Sequence, residues 1–279
     1  MVIMETYQQI DEFLTQENMD KIIEYDFNTE KYQKILDSIE QKATDGLKLD
    51  INLPILENIK RLAQQFITIV PNNEKREIQG FYIYDKIYLN EDMQDARQIT
   101  TIIHELTHHL YAQIFEEWLL EIFDVEHVII DVFVMFMLNN SIENRAADEY
   151  LSYIIEGRFT PPECQNYLPF LQLLMQLDID VEHSKQYFIF AHEISHNLQE
   201  ILDKIITPEY KDAIKQQYID DDIEKLDMNM KFDYADERFT PEETVDIMKE
   251  MILFIFDFFI NGEGDTKLLH EYADEYTNN

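Results

Sequence analysis

Hydrophobic residues recur every three or four positions over most of this chain, which is the spacing of one helix face. Residues 1–50 are otherwise polar and acidic, so we interpret them as a helical N-terminal segment. Residues 161–279 follow the same pattern, except that the acidic tail Gly262–Asn279 is expected to fray. The apolar runs Val128–Leu138 and Met251–Ile260 are too short to span a membrane, and we interpret them as buried core helices.

One region departs from the helical pattern. Ile67–Val70 precedes a Pro-Asn-Asn turn and predicts a short strand. The stretch Gly80–Asn90, read GFYIYDKIYLN, is rich in β-branched and aromatic residues and predicts a strand or a tight hairpin. The expected fold class is therefore mainly α (α+β), with a small sheet before a helix that starts near Asp95. We expect a helical segment 1–50, a core 51–160 and a helical segment 161–279.

Three later segments begin with threonine followed by proline, at Thr160, Thr207 and Thr240. Threonine is a good helix N-cap, and proline is tolerated in the first turn. A glutamate three residues after Thr160 and after Thr240 predicts a capping box at each of these two helix starts.

The stretch RQITTIIHELTHHLY, from Arg97 to Tyr111, carries the most specific chemistry. Residues four apart lie on one helix face, so His104 and His108 can direct ring nitrogens at one point, beside Glu105. In this arrangement two histidines hold zinc, and the glutamate takes a proton from the water that the zinc activates. The motif predicts one Zn²⁺ per chain, with Glu105 as the catalytic base.

A catalytic zinc needs a third protein ligand, and two glutamates of the predicted helix Ile142–Glu156 compete for that position. Helical projection puts Glu143 in the middle of an apolar stripe with Ala146 and Tyr150. A carboxylate buried there needs a partner, because burying it alone is costly. Glu149 lies toward the edge of this stripe, so projection alone favours Glu143.

The strand-like stretch followed by ITTIIHELTHHL resembles the core of the ImmA/IrrE-type metallo-endopeptidases, which belong to the zincin class. The stretch DEYLSYIIEGRFTP, from Asp148 to Pro161, is similar to the third-ligand helix of one branch of that family. The resemblance implies a zincin-like core that hydrolyses peptide bonds, with His104, His108 and Glu149 as zinc ligands and Glu143 as the alternative. The family usually has Asn, Asp or His four residues after the ligand, where this chain has Tyr153.

The same resemblance implies two further parts of a peptidase site. The strand Gly80–Asn90 would bind the substrate backbone as an added strand. A group that stabilises the oxyanion would come from Tyr153, His109 or His183.

A second His-Glu-x-x-His sequence runs from His192 to His196, with no strand before it. It is a coincidence, a second metal site or half of a di-iron site. Two Glu-x-x-His motifs, from Glu105 and from Glu193, are the pattern of di-iron carboxylate bundles, whose oxidase or oxygenase chemistry is the alternative function. The β region before the first motif interrupts such a bundle, so the sequence favours coincidence.

The composition narrows the possible partners. With 57 acidic and 22 basic residues, a net charge of -35 repels nucleic acids and anionic membranes, so we expect neither as a partner. The family resemblance implies a peptide or protein substrate. A zincin fold kept as a non-catalytic interaction module is also compatible with this acidity. The single cysteine, Cys164, allows no internal disulfide, and the first residues lack the pattern of a secretion signal, so we expect a cytoplasmic protein. The sequence does not predict the oligomeric state.

Overall fold

The computed structural model describes residues 2–44, 49–73, 78–177, 184–226, 237–262 and 264–278. These ranges are mainly helical. The helices are α1 Val2–Phe13, α2 Gln16–Glu24, α3 Thr29–Thr44, α4 Ile55–Ala63, α5 Asp95–Ile122, α6 His127–Asn140, α7 Ile142–Phe159, α8 Leu168–Gln176, α9 Lys185–Ile205, α10 Pro208–Asp220, α11 Pro241–Ile260 and α12 Lys267–Asn278. A 3₁₀ turn, Pro162–Cys164, follows α7.

The predicted β region forms a small mixed sheet, with strands β1 Thr68–Pro71, β2 Gly80–Ile83 and β3 Lys86–Leu89 in the order β1-β3-β2. β1 pairs parallel with β3, so that Ile69 lies opposite Ile87. β2 and β3 form the antiparallel hairpin that the alternation of residues predicts. The hairpin turns at Tyr84, whose φ of 53° is uncommon for a residue other than glycine. The coarse fold class, mainly α with a small sheet, is confirmed.

The chain divides into two compact units, each assembled from separate stretches. The first contains Met1–Ile35, Ala112–Arg145 and Phe239–Asn279, and the second contains Leu36–Tyr111 and Ala146–Arg238. This division differs from the three consecutive segments expected from the sequence. The physical reason is that α3, α5 and α7 each continue from one unit into the other, so each unit forms from stretches that are distant in sequence.

The first unit has an aromatic core. Phe13 packs edge-on against Phe123 and Phe133, with ring centroids 5.0 and 5.5 Å apart. The predicted core helix Val128–Leu138 lies within α6, most of which is buried. In the ranges that the structure describes, no helix combines the length and the apolar character that a membrane crossing requires.

Two local expectations are wrong. Lys267–Asn278 of the acidic tail forms α12, which contacts α1 and α6 and buries Leu269 and Ala273. Burial of this apolar stripe stabilises the helix against fraying. Thr160 starts no helix with a capping box, because its hydroxyl donates to the Glu156 carbonyl, 3.2 Å away, at the end of α7. The capping box at Thr240 is confirmed, since Thr240 and Glu243 each accept from the other's backbone N–H.

The second unit holds the sheet and the parts of α5 and α7 that carry the predicted zinc residues. Apolar residues cover several sides of α5, and Ile102, Ile103 and Leu106 are all buried. A helix that is apolar on more than one side is held in a fixed orientation by its surroundings. The polar side chains on α5 are therefore held by a rigid element.

Candidate metal centre

Helices α5 and α7 bring two histidines and a glutamate together. His104 and His108 from α5 and Glu149 from α7 each offer one ligand atom, and these atoms all lie within 4.8 Å of one another. His104 Nε2 lies 3.6 Å from Glu149 Oε2. The two histidine rings are 4.9 Å apart and inclined by 74°, as expected for side chains four residues apart on a helix. In the described ranges this is the one group of this kind.

The other ring nitrogen of each histidine contacts a carboxylate of α7. His104 Nδ1 lies 2.9 Å from Glu156 Oε2, and His108 Nδ1 lies 2.7 Å from Asp148 Oδ1. Since an ionised carboxylate only accepts hydrogen bonds, each Nδ1 carries the proton. In the neutral rings Nε2 is then the nitrogen available to a cation. Carboxylate partners of this kind orient metal-binding histidines and make them more basic.

The charges within the group shift its pKa values. Burial alone would lower the pKa of His104, but hydrogen bonds to Glu149 and Glu156 outweigh burial and hold that pKa well above its usual value. Burial alone would also lower the pKa of His108, but the contact with Asp148 outweighs burial and raises that pKa. Burial raises the pKa of Glu105, against the opposing effect of the two histidines. The centre therefore contains a buried carboxyl group with an increased affinity for a proton.

Sequence reasoning missed the histidine partners. Asp148, Ser152 and Glu156 are four residues apart in α7, and the Ser152 hydroxyl lies 3.2 Å from His108 Nδ1. Glu149 comes directly after Asp148, and Tyr153 comes directly after Ser152, so these two residues are also four apart. One face of α7 is thus polar although it borders the interior. That i, i+4, i+8 row of polar residues was the signal available in the sequence.

Glu143, which helical projection favoured as the third ligand, is not part of the group. Its carboxylate accepts a hydrogen bond from the Ser141 hydroxyl at 3.0 Å. Projection finds the apolar stripe that faces a core, whereas the residues that approach His104 and His108 lie on the polar face of the same helix. Glu149 lies on that polar face, and its role as a zinc ligand stays a prediction.

A cleft of about 410 Å³ opens beside the group and is lined by His104, Glu105, Glu149 and Tyr153. The Tyr153 ring stands edge-on to His104 at 4.7 Å. Gly80 of β2 also lines this cleft, and a Cβ added there would lie 2.5 Å from Thr101 Cγ2. Only glycine lets the strand approach α5 this closely.

His109 and His183 are the other two candidates for stabilising the oxyanion. His109 is buried, and its Nδ1 lies 3.4 Å from the Tyr82 hydroxyl. It does not line the cleft. His183 lies outside the described residues. Of the three candidates, Tyr153 is the one that the described structure brings beside His104.

The second His-Glu-x-x-His motif lies on α9 and has a different environment. Arg238 Nη2 lies 2.8 Å from His196 Nε2, so that nitrogen accepts a hydrogen bond from a guanidinium. Burial lowers the pKa of His192 to about 4, and His196, Arg238 and Arg158 act in the same direction. Neither Glu193 nor His196 belongs to the metal-capable group of the described residues. The Arg238 guanidinium at His196 and the absence of Glu193 and His196 from that group both weigh against a di-iron site.

No protein-family model matches this chain, and no match is found among curated proteins or among solved structures. The resemblance to ImmA/IrrE-type endopeptidases therefore rests on the residues quoted above, and the zincin-like core stays a prediction.

Proposed function

We propose that this protein is a metallopeptidase in which His104, His108 and Glu149 hold one Zn²⁺ and Glu105 is the general base. The observation that carries the proposal is the convergence of these three ligand atoms within 4.8 Å, with a carboxylate at the Nδ1 of each histidine.

The donor set fits zinc. Two imidazoles and one carboxylate are ligands that zinc accepts readily, whereas magnesium and calcium prefer sites made of oxygen atoms. Three protein ligands beside an accessible cleft are typical of catalytic rather than structural zinc sites. When bound, zinc polarises a peptide carbonyl and brings the pKa of water near neutrality.

Glu105 is suited to move the proton. It is 8 % exposed, and the pKa rise that burial causes makes its carboxylate a stronger base than an exposed glutamate. In the proposed reaction Glu105 accepts the proton of the attacking water and then returns it to the leaving amine. Tyr153 keeps its hydroxyl proton because burial raises its pKa, so it can donate a hydrogen bond to the oxyanion that forms.

The substrate backbone has a matching surface in β2. The sheet order places β2 at one edge, whereas β3 lies between its two neighbours, so β2 is the part of Gly80–Asn90 suited to accept an added strand. A Cβ on Gly80 would lie 3.7 Å from Glu105 Cγ, which brings this edge next to the general base. An extended peptide along β2 would therefore present its carbonyls to the metal centre.

Digestion of a degenerate peptide library, followed by mass spectrometry, tests the proposal. We expect the zinc-loaded protein to cleave peptides, and Glu105→Gln to lower the rate by at least about a hundredfold while zinc content stays unchanged. The matched control is Glu193→Gln, which makes the same change in the second motif and should keep the activity. No cleavage by the zinc-loaded protein, or full activity of Glu105→Gln, would contradict the proposal.

A further inference from the structure

The cleft-facing side of α5 extends beyond the metal centre. Arg97, Thr100, Thr101, His104 and Glu105 all line the cleft, at the spacing of one helix face. Arg97 precedes His104 by two helical turns, which is about 10 Å along a helix axis. A guanidinium and the metal centre therefore share one cleft.

Arg97 is the one Lys or Arg side chain among the described residues that line this cleft. The acidic residues of the lining are Glu105, Glu149 and Glu156, and the last two contact His104, at 3.6 and 2.9 Å. No carboxylate of the described chain forms an ion pair with Arg97. In a protein with 57 acidic and 22 basic residues, a half-buried guanidinium with no such partner is available to a ligand.

The stability of α5 gives no reason for an arginine at this position. Arg97 lies in the first turn, where the helix dipole disfavours a positive side chain and favours an anion. This helix end is already capped, since Asp221 Oδ2 accepts from the Ala96 N–H at 2.8 Å. Arg97 and Tyr218 both line the cleft, and the charge of Arg97 opposes the rise to about 12 that burial causes in the pKa of Tyr218.

We propose that Arg97 binds a carboxylate of the substrate and so makes the cleft selective for peptides with an acidic group near the cleaved bond. This inference rests on the proposed peptidase function. The planar guanidinium can bind a carboxylate through two parallel hydrogen bonds. An extended chain advances about 3.3 Å per residue, so the span from Arg97 to His104 corresponds to about three residues.

The charge of the cleft favours a carboxylate over a phosphate. Both anions fit a guanidinium, but a phosphate carries close to two negative charges and would be repelled more strongly by the glutamates of the same cleft. The carboxylate can come from an aspartate or glutamate side chain or from the C-terminus of the peptide. Both sources present the same group to Arg97.

Peptide binding, rather than cleavage, tests this assignment. Zinc-loaded Glu105→Gln protein is equilibrated with matched libraries of capped peptides that carry Glu or Gln at one fixed position, each amidated or with a free C-terminus. Mass spectrometry of the bound fraction gives the ratio of affinities. We expect the carboxylate form to bind about tenfold better than its amide form, the usual scale of a charge-assisted hydrogen bond. A difference at the fixed position identifies a side chain, and a difference at the C-terminus identifies the chain end.

Two arginine variants in the Glu105→Gln background locate the effect. Arg97→Gln should remove the preference, whereas Arg61→Gln, the same change at an exposed arginine outside the cleft, should keep it. If Arg97→Gln does not fold by circular dichroism, Arg97→Lys keeps the charge without the planar fork and should lower the preference. The inference would be overturned if the acid and amide forms bound equally well or if neither bound. It would also be overturned if the preference for the acid form persisted in the Arg97→Gln variant.

The outcomes also separate this inference from the peptidase proposal. A preference that depends on Arg97, in a protein whose wild type cleaves no library peptide, supports the carboxylate site and refutes the peptidase proposal. Cleavage without any acid preference supports the peptidase and refutes the role of Arg97.

Discussion

The two ring nitrogens of each histidine in the proposed metal centre have different surroundings. Asp148 and Glu156 hold the Nδ1 atoms of His108 and His104, at 2.7 and 2.9 Å, which fixes the tautomer and the ring orientation. Each neutral ring then presents Nε2 toward a ligand. A histidine that is oriented before the metal arrives loses less conformational entropy on binding, so these two carboxylates are expected to raise metal affinity.

Single-residue variants also distinguish the two candidates for the proposed third zinc ligand. We expect Glu149→Ala to lower zinc affinity more than about a hundredfold, because it removes a ligand rather than a group that only supports one. Glu143→Ala should keep zinc, because Glu143 contacts Ser141 and lies outside the group. Zinc stoichiometry after competition with a chelator measures both variants. Zinc retained by Glu149→Ala and lost by Glu143→Ala would transfer the role to Glu143.

At the scale of elements, the sequence predicts the helix α5 and the proximity of His104 and His108 on it, but not the contacts that α7 makes with these histidines. The i, i+4 spacing of His104 and His108 is a local property of a helix, so it could be predicted without knowledge of the fold. The row of polar residues on α7 marks its polar face, but which histidine Asp148 and Glu156 contact depends on how α7 packs against α5, and a local pattern does not give that packing. The same holds for Leu269 in α12, whose burial depends on α1 and α6.

Helix α9 provides a test of the second motif. If His192 and His196 are not ligands, replacing both with alanine should leave the zinc content unchanged. The cost in stability should be about 1–3 kcal/mol, as for partly buried polar side chains. Metal analysis and urea unfolding of the double variant measure the two effects. An iron-containing, coloured wild type that loses its metal in this variant would favour the di-iron alternative.

His192 also makes the stability of the fold depend on pH. Its pKa is about 4 in the folded protein, mainly because of burial, and about 6.5 in an unfolded chain. The unfolded state therefore binds the proton more readily, so this group lowers stability as pH falls from about 6.5 to about 4. Below that window both states are protonated and the effect is constant. We expect wild type to lose urea resistance faster than His192→Gln between these pH values, and parallel curves would contradict this.

At the scale of the whole molecule, the division of the chain could not be predicted from local patterns. Phe13 and Phe256 pack together in the first unit, at 5.3 Å, although almost the entire chain separates them. Hydrophobic spacing identifies both residues as core positions but does not say which core they share. The metal-capable group lies within the second unit, whose parts are likewise separated in sequence.

The net negative charge of the whole molecule favours cations, as do the carboxylates around His104 and His108. A net charge of -35 attracts divalent cations and repels anionic macromolecules over distances of about 10 Å at moderate salt. We therefore expect this long-range field to favour metal binding at the proposed centre and to disfavour nucleic acids as partners. It also makes Arg97 an exception among the charged residues near the cleft.

Anomalous X-ray scattering at the zinc edge, from crystals of the zinc-loaded protein, tests the proposed metal centre most directly. We expect one anomalous peak per chain, within about 2.0–2.2 Å of His104 Nε2, His108 Nε2 and a Glu149 carboxylate oxygen. No peak should appear at His192 and His196. A peak at the second motif alone, a pair of iron peaks, or no peak between α5 and α7 would contradict the assignment.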